Sequence, residues 1–183
     1  MKLFLFHCWG GGARSCWSGS TADYFSAKGI EVISPDFPDS DNPKLGQWLL
    51  SIRKNVMKFD PKDEWVLVGH SLGCPTILRL LETFSDKEQV KAVILVAGFA
   101  KDLAIPQIAN FVKADFNFEK IKLRAGKFVV INSDNDPYIA LEEGERMAKL
   151  LGAELIVEHN AGHINEGSGF SNYPRLLKII EDL

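Results

Sequence analysis

A serine, an aspartate and a histidine follow one another along this chain, each just beyond an apolar run: Ser71, Asp136 and His163. A serine hydroxyl is a weak nucleophile at neutral pH. It attacks a carbonyl when a base within hydrogen-bond reach takes its proton, and the base needs a carboxylate to fix its tautomer and balance its charge. Ser71 lies in Gly69-His70-Ser71-Leu72-Gly73, after the apolar residues 65–68 and before a helical stretch from Leu72 to Phe84. Strand, sharp turn and helix is the setting in which Gly-x-Ser-x-Gly presents a nucleophile; without those flanks the five residues read as an ordinary loop. Glycine suits positions 69 and 73 because a side chain at either would collide across so tight a turn.

Four histidines compete for the role of base. His7 precedes the serine and ends the first apolar run, as a loop residue. His70 adjoins Ser71 and is expected to point away from it across the turn. His159 ends the last apolar run and is the competitor. His163, in Ala161-Gly162-His163, sits in a loop able to reach inward and is the candidate base. Asp136, before Pro137, is the candidate acid; Asp134 is the alternative, with a turn aspartate bonding nearby backbone as its ordinary role. Where two apolar strands end in an acid and then a base, the order Ser, Asp, His is the one found on strand–turn–helix nucleophiles. Acyl transfer also needs donors for the oxyanion. One is expected at the Leu72 N–H, the other at Trp9, with Gly10 as the alternative donor. Gly10, Trp17 and Phe99 are candidate substrate contacts, against core packing for the aromatics and plain loop flexibility for the glycines 10–12.

The elements that must position these groups alternate. Strands are expected at Lys2–Phe6, Ile30–Ser34, 65–68, Val90–Ala97, Lys127–Asn132 and Ala153–Glu158. Helices are expected from a Ser18 or Ser20 cap to Ala27, from Asn42-Pro43 with Leu45, Leu49, Ile52 and Val56 on one face until Asp60-Pro61, then at 72–84, Ile139–Leu151 and Tyr173–Leu183. Residues 101–125 are less regular. Such alternation predicts an α/β fold: a parallel sheet of six strands covered by helices on both faces. Loops at the carboxyl ends of parallel strands gather on one edge, so His7, Ser71, Asp136 and His163 should converge there.

The chain has 183 residues, enough for one domain spanning 1–183. It is 46% hydrophobic and 25% charged, with a formal charge of −3. That mild acidity argues against nucleic acid or an anionic membrane as partner. No apolar run approaches the roughly eighteen residues of a membrane span, and the apolar start reads as a strand rather than a signal peptide. Cys8, Cys16 and Cys74 are odd in number and lack metal-ligand spacing, so reduced thiols in a cytoplasmic protein, with no metal and no cofactor, are expected.

With the motif at 69–73, Asp136-Pro137 and Gly162-His163 in place, the chain resembles the α/β-hydrolase superfamily. More narrowly it is similar to the small serine hydrolases of the YdeN and retinoblastoma-binding-protein-nine kind, which it matches in its short length, its aromatic-rich first loop and helix, and Phe118-Glu119-Lys120-Ile121. The resemblance implies a Ser71–Asp136–His163 triad, a minimal three-layer α/β/α fold without a large cap, and strand order 2-1-3-4-5-6. It implies hydrolysis of a small ester, thioester or amide substrate through an acyl-enzyme. His7-Cys8 stands where such chains usually carry His-Gly. The Leu-x-Cys-x-Glu peptide that names one branch is absent; Leu72-Gly73-Cys74-Pro75-Thr76 has Thr76 in place of the acid, so no retinoblastoma-type partner is expected. Two readings compete with the hydrolase: a non-catalytic interaction module on the same fold, and a cysteine-dependent enzyme using Cys8.

Overall fold

Side chains on the six strands alternate between two apolar layers, and this determines how the molecule is built. The computed structural model describes residues 1–55 and 63–183. Strands β1 (Lys2–Phe6), β2 (Glu31–Ile33), β3 (Trp65–His70), β4 (Val90–Val96), β5 (Ala125–Ser133) and β6 (Glu154–Glu158) form one sheet in the order β2-β1-β3-β4-β5-β6. Every pairing is parallel. The expected α/β class and strand order are therefore observed.

Helices α1 (Ser18–Ala27) and α6 (Pro174–Glu181) pack on one face, where Phe25, Leu176 and Ile180 meet Val66, Val68, Ile94 and Ile131. The other face carries α2 (Leu45–Asn55), α3 (Gly73–Glu82), α4 (Phe118–Lys122) and α5 (Leu141–Leu151); there Trp48, Ile77, Leu81 and Met147 meet Leu67, Val93, Leu95 and Val130. Val93 and Ile94, consecutive on β4, are fully buried in opposite layers. A strand covered on both faces is apolar throughout rather than alternating, which is why 90–97 reads as central. Each fully buried large aliphatic or aromatic side chain contributes about 1.5–3 kcal/mol.

Several boundaries differ from the sequence reading for identifiable reasons. Residue Trp17, not a serine, caps α1, and no side chain bonds the first turn. The preceding turn leads straight into the helix through Ser18 N–H donating to the Ser15 carbonyl, while the Ser20 hydroxyl donates to the carbonyls of Trp17 and Ser171. Helix α2 begins at Leu45, whose amide donates to Asn110 Oδ1 at 2.8 Å. Its terminal donor is satisfied from a distant loop, so no local cap marks it. The expected positions Val56 and Asp60-Pro61 lie outside the described residues. Strand β3 runs to His70 and so includes the first glycine of the motif. Helix α5 ends where expected, at Gly152 with φ +64°.

Glycine spacing supplies a stability test. A Cβ on Gly73 would lie 2.3 Å from the Phe6 carbonyl oxygen, whereas one on Gly46 in α2 meets nothing within 4 Å. Gly73→Ala should lower the denaturant midpoint by the equivalent of several kcal/mol, since backbone on both sides cannot yield. Gly46→Ala should raise stability by about 0.5–1 kcal/mol by removing unfolded-state freedom in a helix. Chemical denaturation of the two variants beside the parent measures both.

Candidate active site

Ser71 has φ +52°, a conformation rare for a residue with a side chain. The reason lies in the backbone around it. Ser71 N–H donates to the Val96 carbonyl of the neighbouring strand, and the Ser71 carbonyl accepts from Cys74 N–H in the first turn of α3, both at 2.9 Å. A Cβ on Gly69 would meet the Gly73 carbonyl carbon at 2.8 Å. Strand and helix thus approach through two glycines, and the chain between them has room for only one sharp turn.

The histidine loop is built just as specifically. Ser133, the last residue of β5, accepts the Ala161 N–H through its hydroxyl oxygen at 3.1 Å and donates to Asn135 Oδ1 at 2.8 Å. Asn135 Oδ1 in turn accepts the Gly162 N–H at 2.8 Å. Gly162 has φ +53°, and a Cβ there would lie 2.4 Å from Ser168 Oγ. From this cradle His163 projects its Nδ1 to Asp136 Oδ2 at 2.7 Å. The Asp136 side chain is fully buried, and its other oxygen accepts the amides of Tyr138 at 2.9 Å and Ile139 at 3.1 Å. A carboxylate so bonded is acceptor-only, so the His163 Nδ1 carries the proton and Nε2 is the basic nitrogen.

Ser71 and His163 line one cavity of about 310 Å³. Among the described residues neither Ser71 Oγ nor His163 Nε2 has a hydrogen-bond partner. Trp9, Leu72 and Phe99 line the same cavity. Among the described residues the Trp9 and Leu72 amides have no acceptor, while the Gly10 amide donates to the Ser40 carbonyl at 2.8 Å. Gly10 does not line the cavity, and neither does Trp17. Trp17 is buried in the layer beneath α1, its Nε1–H donating to the Ile164 carbonyl at 3.1 Å. Core packing, the alternative for that tryptophan, describes its place.

The competing residues form a second acid–base pair. Asp134 Oδ2 meets His159 Nδ1 at 2.6 Å, and Asp134 Oδ1 accepts the Asn160 amide at 2.9 Å. The bond from His159 holds the Asp134 carboxyl below the usual carboxylate range, with the Asn160 amide adding to it. The His159 side chain is 78% exposed, and this pair does not line the cavity. His7 is buried between β1 and the 35–43 loop, with Nδ1–H donating to the Cys8 carbonyl and Nε2 accepting the Phe37 amide. Burial pushes its pKa down.

Two arrangements were not readable from spacing. His70 lines the cavity with Ser71 and has a defined place: its Nε2–H donates to the His163 carbonyl at 3.0 Å while its ring packs 5.6 Å from Trp17 and 5.2 Å from His163. And Cys8 and Cys16, which show no ligand spacing in sequence, are brought together with His70 by the fold. The hydrogen bond from Cys8, aided by His70, draws the Cys16 thiol down, and the same contact pushes Cys8 up. Cys74 is buried in α3 and pushed up by desolvation.

Comparison with known proteins adds the activity class. The family model described as "Serine hydrolase" matches residues 3–182. The chain belongs to the serine hydrolase family. The Bacillus subtilis (strain 168) protein YdeN, named as a hydrolase, is 29% identical over 98% of this chain and 94% of its own. Serine hydrolase RBBP9 of Rattus norvegicus is 24% identical over 85% of this chain and 78% of its own. The crystal structure of the B. subtilis ydeN gene product superposes with a TM-score of 0.89 at 28% identity, covering 99% of this chain and 97% of the other. The fold is that of the α/β hydrolases, and the chain is a hydrolase.

The Ser133 cradle is separable from Ser71, Asp136 and His163. Ser133→Ala removes the acceptor of the Ala161 amide and should cost about 1 kcal/mol. Hydrogen exchange should accelerate about fivefold, on that figure, at the Ala161 and Gly162 amides while β4 amides stay protected. Unchanged exchange at both loop amides would show that Ser133 does not hold the loop.

Proposed function

We propose that this serine hydrolase cleaves the ester, thioester or amide bond of a small acyl substrate through an acyl-enzyme on Ser71. The buried Asp136–His163 pair, whose histidine lines one cavity with a serine on a strained turn, carries the reading. His163 Nε2 takes the Ser71 proton as Oγ adds to the carbonyl carbon. Asp136 holds the imidazolium that forms, in orientation and in charge. The amides of Leu72 and Trp9 receive the oxyanion; the two unoccupied N–H groups support these donors, and the engagement of Gly10 with Ser40 counts against the alternative. His163 then protonates the leaving group, and a water deprotonated by His163 releases the acid. The Ser71–His163 hydrogen bond forms as substrate is bound, as such bonds tighten in the Michaelis complex.

The cavity beyond the serine is walled by Phe99, Leu103, Ile105, Ile108 and Ile139. Its apolar wall supports an aliphatic acyl group, and about 310 Å³ suits one of a few carbons rather than a long chain. The three cysteines, all free, support a reducing, cytoplasmic setting. Among the described residues no helix is long and apolar enough to cross a membrane. The 72–76 segment sits in the buried first turn of α3, with Leu72 and Cys74 fully covered, which counts against its docking a retinoblastoma-type partner.

A fluorophosphonate probe tests the mechanism. The parent should label at one site, and Ser71→Ala should not label. His163→Ala and Asp136→Asn should slow labelling and ester turnover by on the order of 10³–10⁴, the loss typical of a broken triad. His159→Ala and Asp134→Asn should stay within about twofold, as expected of surface residues outside the reacting unit. Equal labelling of parent and Ser71→Ala, or a loss at His159 matching that at His163, would overturn the assignment.

Acyl-chain preference follows from the wall. Ile108→Trp should cut kcat/KM for hexanoyl esters at least tenfold and leave acetyl esters within about threefold, since filling the far wall excludes methylenes worth about 0.8 kcal/mol each. A panel of p-nitrophenyl esters reads the ratio; an equal loss on both substrates would place the acyl chain elsewhere.

A further inference from the structure

Three side chains that the hydrolytic steps leave unused meet beside the catalytic cavity. The Sγ atoms of Cys8 and Cys16 and a ring nitrogen of His70 all lie within 4.8 Å of one another. Cys8 and Cys16 come from the loop between β1 and α1, and His70 from the end of β3. A tetrahedral zinc ion, with Zn–S of about 2.3 Å and Zn–N of about 2.0 Å, sets its ligand atoms about 3.5–3.8 Å apart, so the trio has to close by about an ångström.

A second observation points the same way. His70 is buried, and its Nε2 contacts the His163 carbonyl at 3.0 Å. A carbonyl only accepts, so Nε2 carries the proton, and Nδ1 is left as the ring nitrogen with a lone pair free to ligate. Histidines that hold metals almost always donate their other N–H to a carbonyl or carboxylate, which fixes the tautomer and aims the ring. That outer contact is already made here. A disulfide between the two cysteines would leave this ring without a role.

Two thiolates and a neutral imidazole are a borderline-soft donor set. It favours zinc over magnesium or calcium, which take oxygen ligands. We propose that Cys8 Sγ, Cys16 Sγ and His70 Nδ1 form a three-ligand site for Zn²⁺, with the fourth position left to water. Binding releases the two thiol protons to solvent and leaves the zinc–dithiolate unit uncharged. Cys8 and His70 both line the cavity that holds Ser71, so the ion sits in the wall of the active site. No triad residue is a ligand, and the site stands whether or not Ser71 is the nucleophile.

Titration of the reduced, reductant-free full chain with Co²⁺ tests the site. A saturable thiolate-to-cobalt charge-transfer band at one equivalent, displaced by one equivalent of Zn²⁺, is expected. Cys8→Ser and Cys16→Ser should each weaken binding at least about a hundredfold, beyond the 10–100-fold typical of losing an outer-shell partner. Circular dichroism confirms that both variants fold. Ser71→Ala and His163→Ala should keep the band. No band in the parent, a band surviving in the double cysteine variant, or one lost with His163→Ala would overturn the proposal. An intact band in a protein that fluorophosphonate fails to label would instead overturn the hydrolytic reading alone.

Discussion

The structure depends on the approach of α3 to β1 and β3 through two residues that have no side chain. A methyl at Gly73 would lie 2.3 Å from the Phe6 carbonyl, and one at Gly69 within 3 Å of the Gly73 and Cys74 backbone. Only this closeness makes the turn sharp enough to place Ser71 at φ +52°. A non-glycine residue held there costs about 1–3 kcal/mol. That strain persists because fully buried neighbours over-determine it: Val68 before the turn, and Leu72, Ile77 and Leu78 after it. The apolar core is therefore what keeps the Ser71 hydroxyl fixed at the sheet edge.

Two Asp–His pairs stand side by side at the ends of β5 and β6, and burial separates their roles. Both have nearly the same Nδ1–carboxylate distance, 2.7 Å for Asp136–His163 and 2.6 Å for Asp134–His159. The His163 pair is covered and its histidine faces a cavity, whereas His159 is mostly solvated. A charge pair in water gains little from its partner, while one shielded from water interacts strongly and has its geometry held by the surrounding protein. The distance alone would not tell the pairs apart; Tyr138 and Ile139 do, because their amides saturate the buried Asp136 and hold it on one side of the imidazole.

How much of this was legible in the sequence follows from how local each signal is. The six strands and their α/β class were legible, because buried parallel strands are continuous apolar runs bounded by turn residues. Ser71, Asp136 and His163 are legible as an ordered set of candidates, since each lies in the loop that follows a strand. Helix starts were less so: the Leu45 amide is capped by Asn110, and Trp17 begins α1 from a turn, neither of which leaves a mark in neighbouring residues. Spacing leaves Trp17 open between pocket and core, because an aromatic in a cavity loop and one beneath the sheet have the same local sequence; it lies in the core. The meeting of Cys8, Cys16 and His70 had no sequence signature at all. Ligand spacing is a rule for sites made within one loop or helix, and this cluster joins two strand ends that only the β1–β3 pairing brings together.

His70 shows how the site is coupled across those strand ends. It occupies the variable position of the nucleophile motif, where nothing in the motif demands a histidine. Its ring is packed between Trp17 and His163, and its N–H holds the carbonyl of His163, whose side chain lines the cavity with Ser71. The serine turn and the histidine loop are therefore joined through the backbone of one and the side chain of the other. A shift of either would move both, so the spacing of Ser71 and His163 depends on a contact that neither Ser71, Asp136 nor the His163 side chain makes. The same contact also leaves Nδ1 as the His70 nitrogen with a free lone pair. The placement of the His163 backbone and the free lone pair on His70 Nδ1 are thus two consequences of one hydrogen bond.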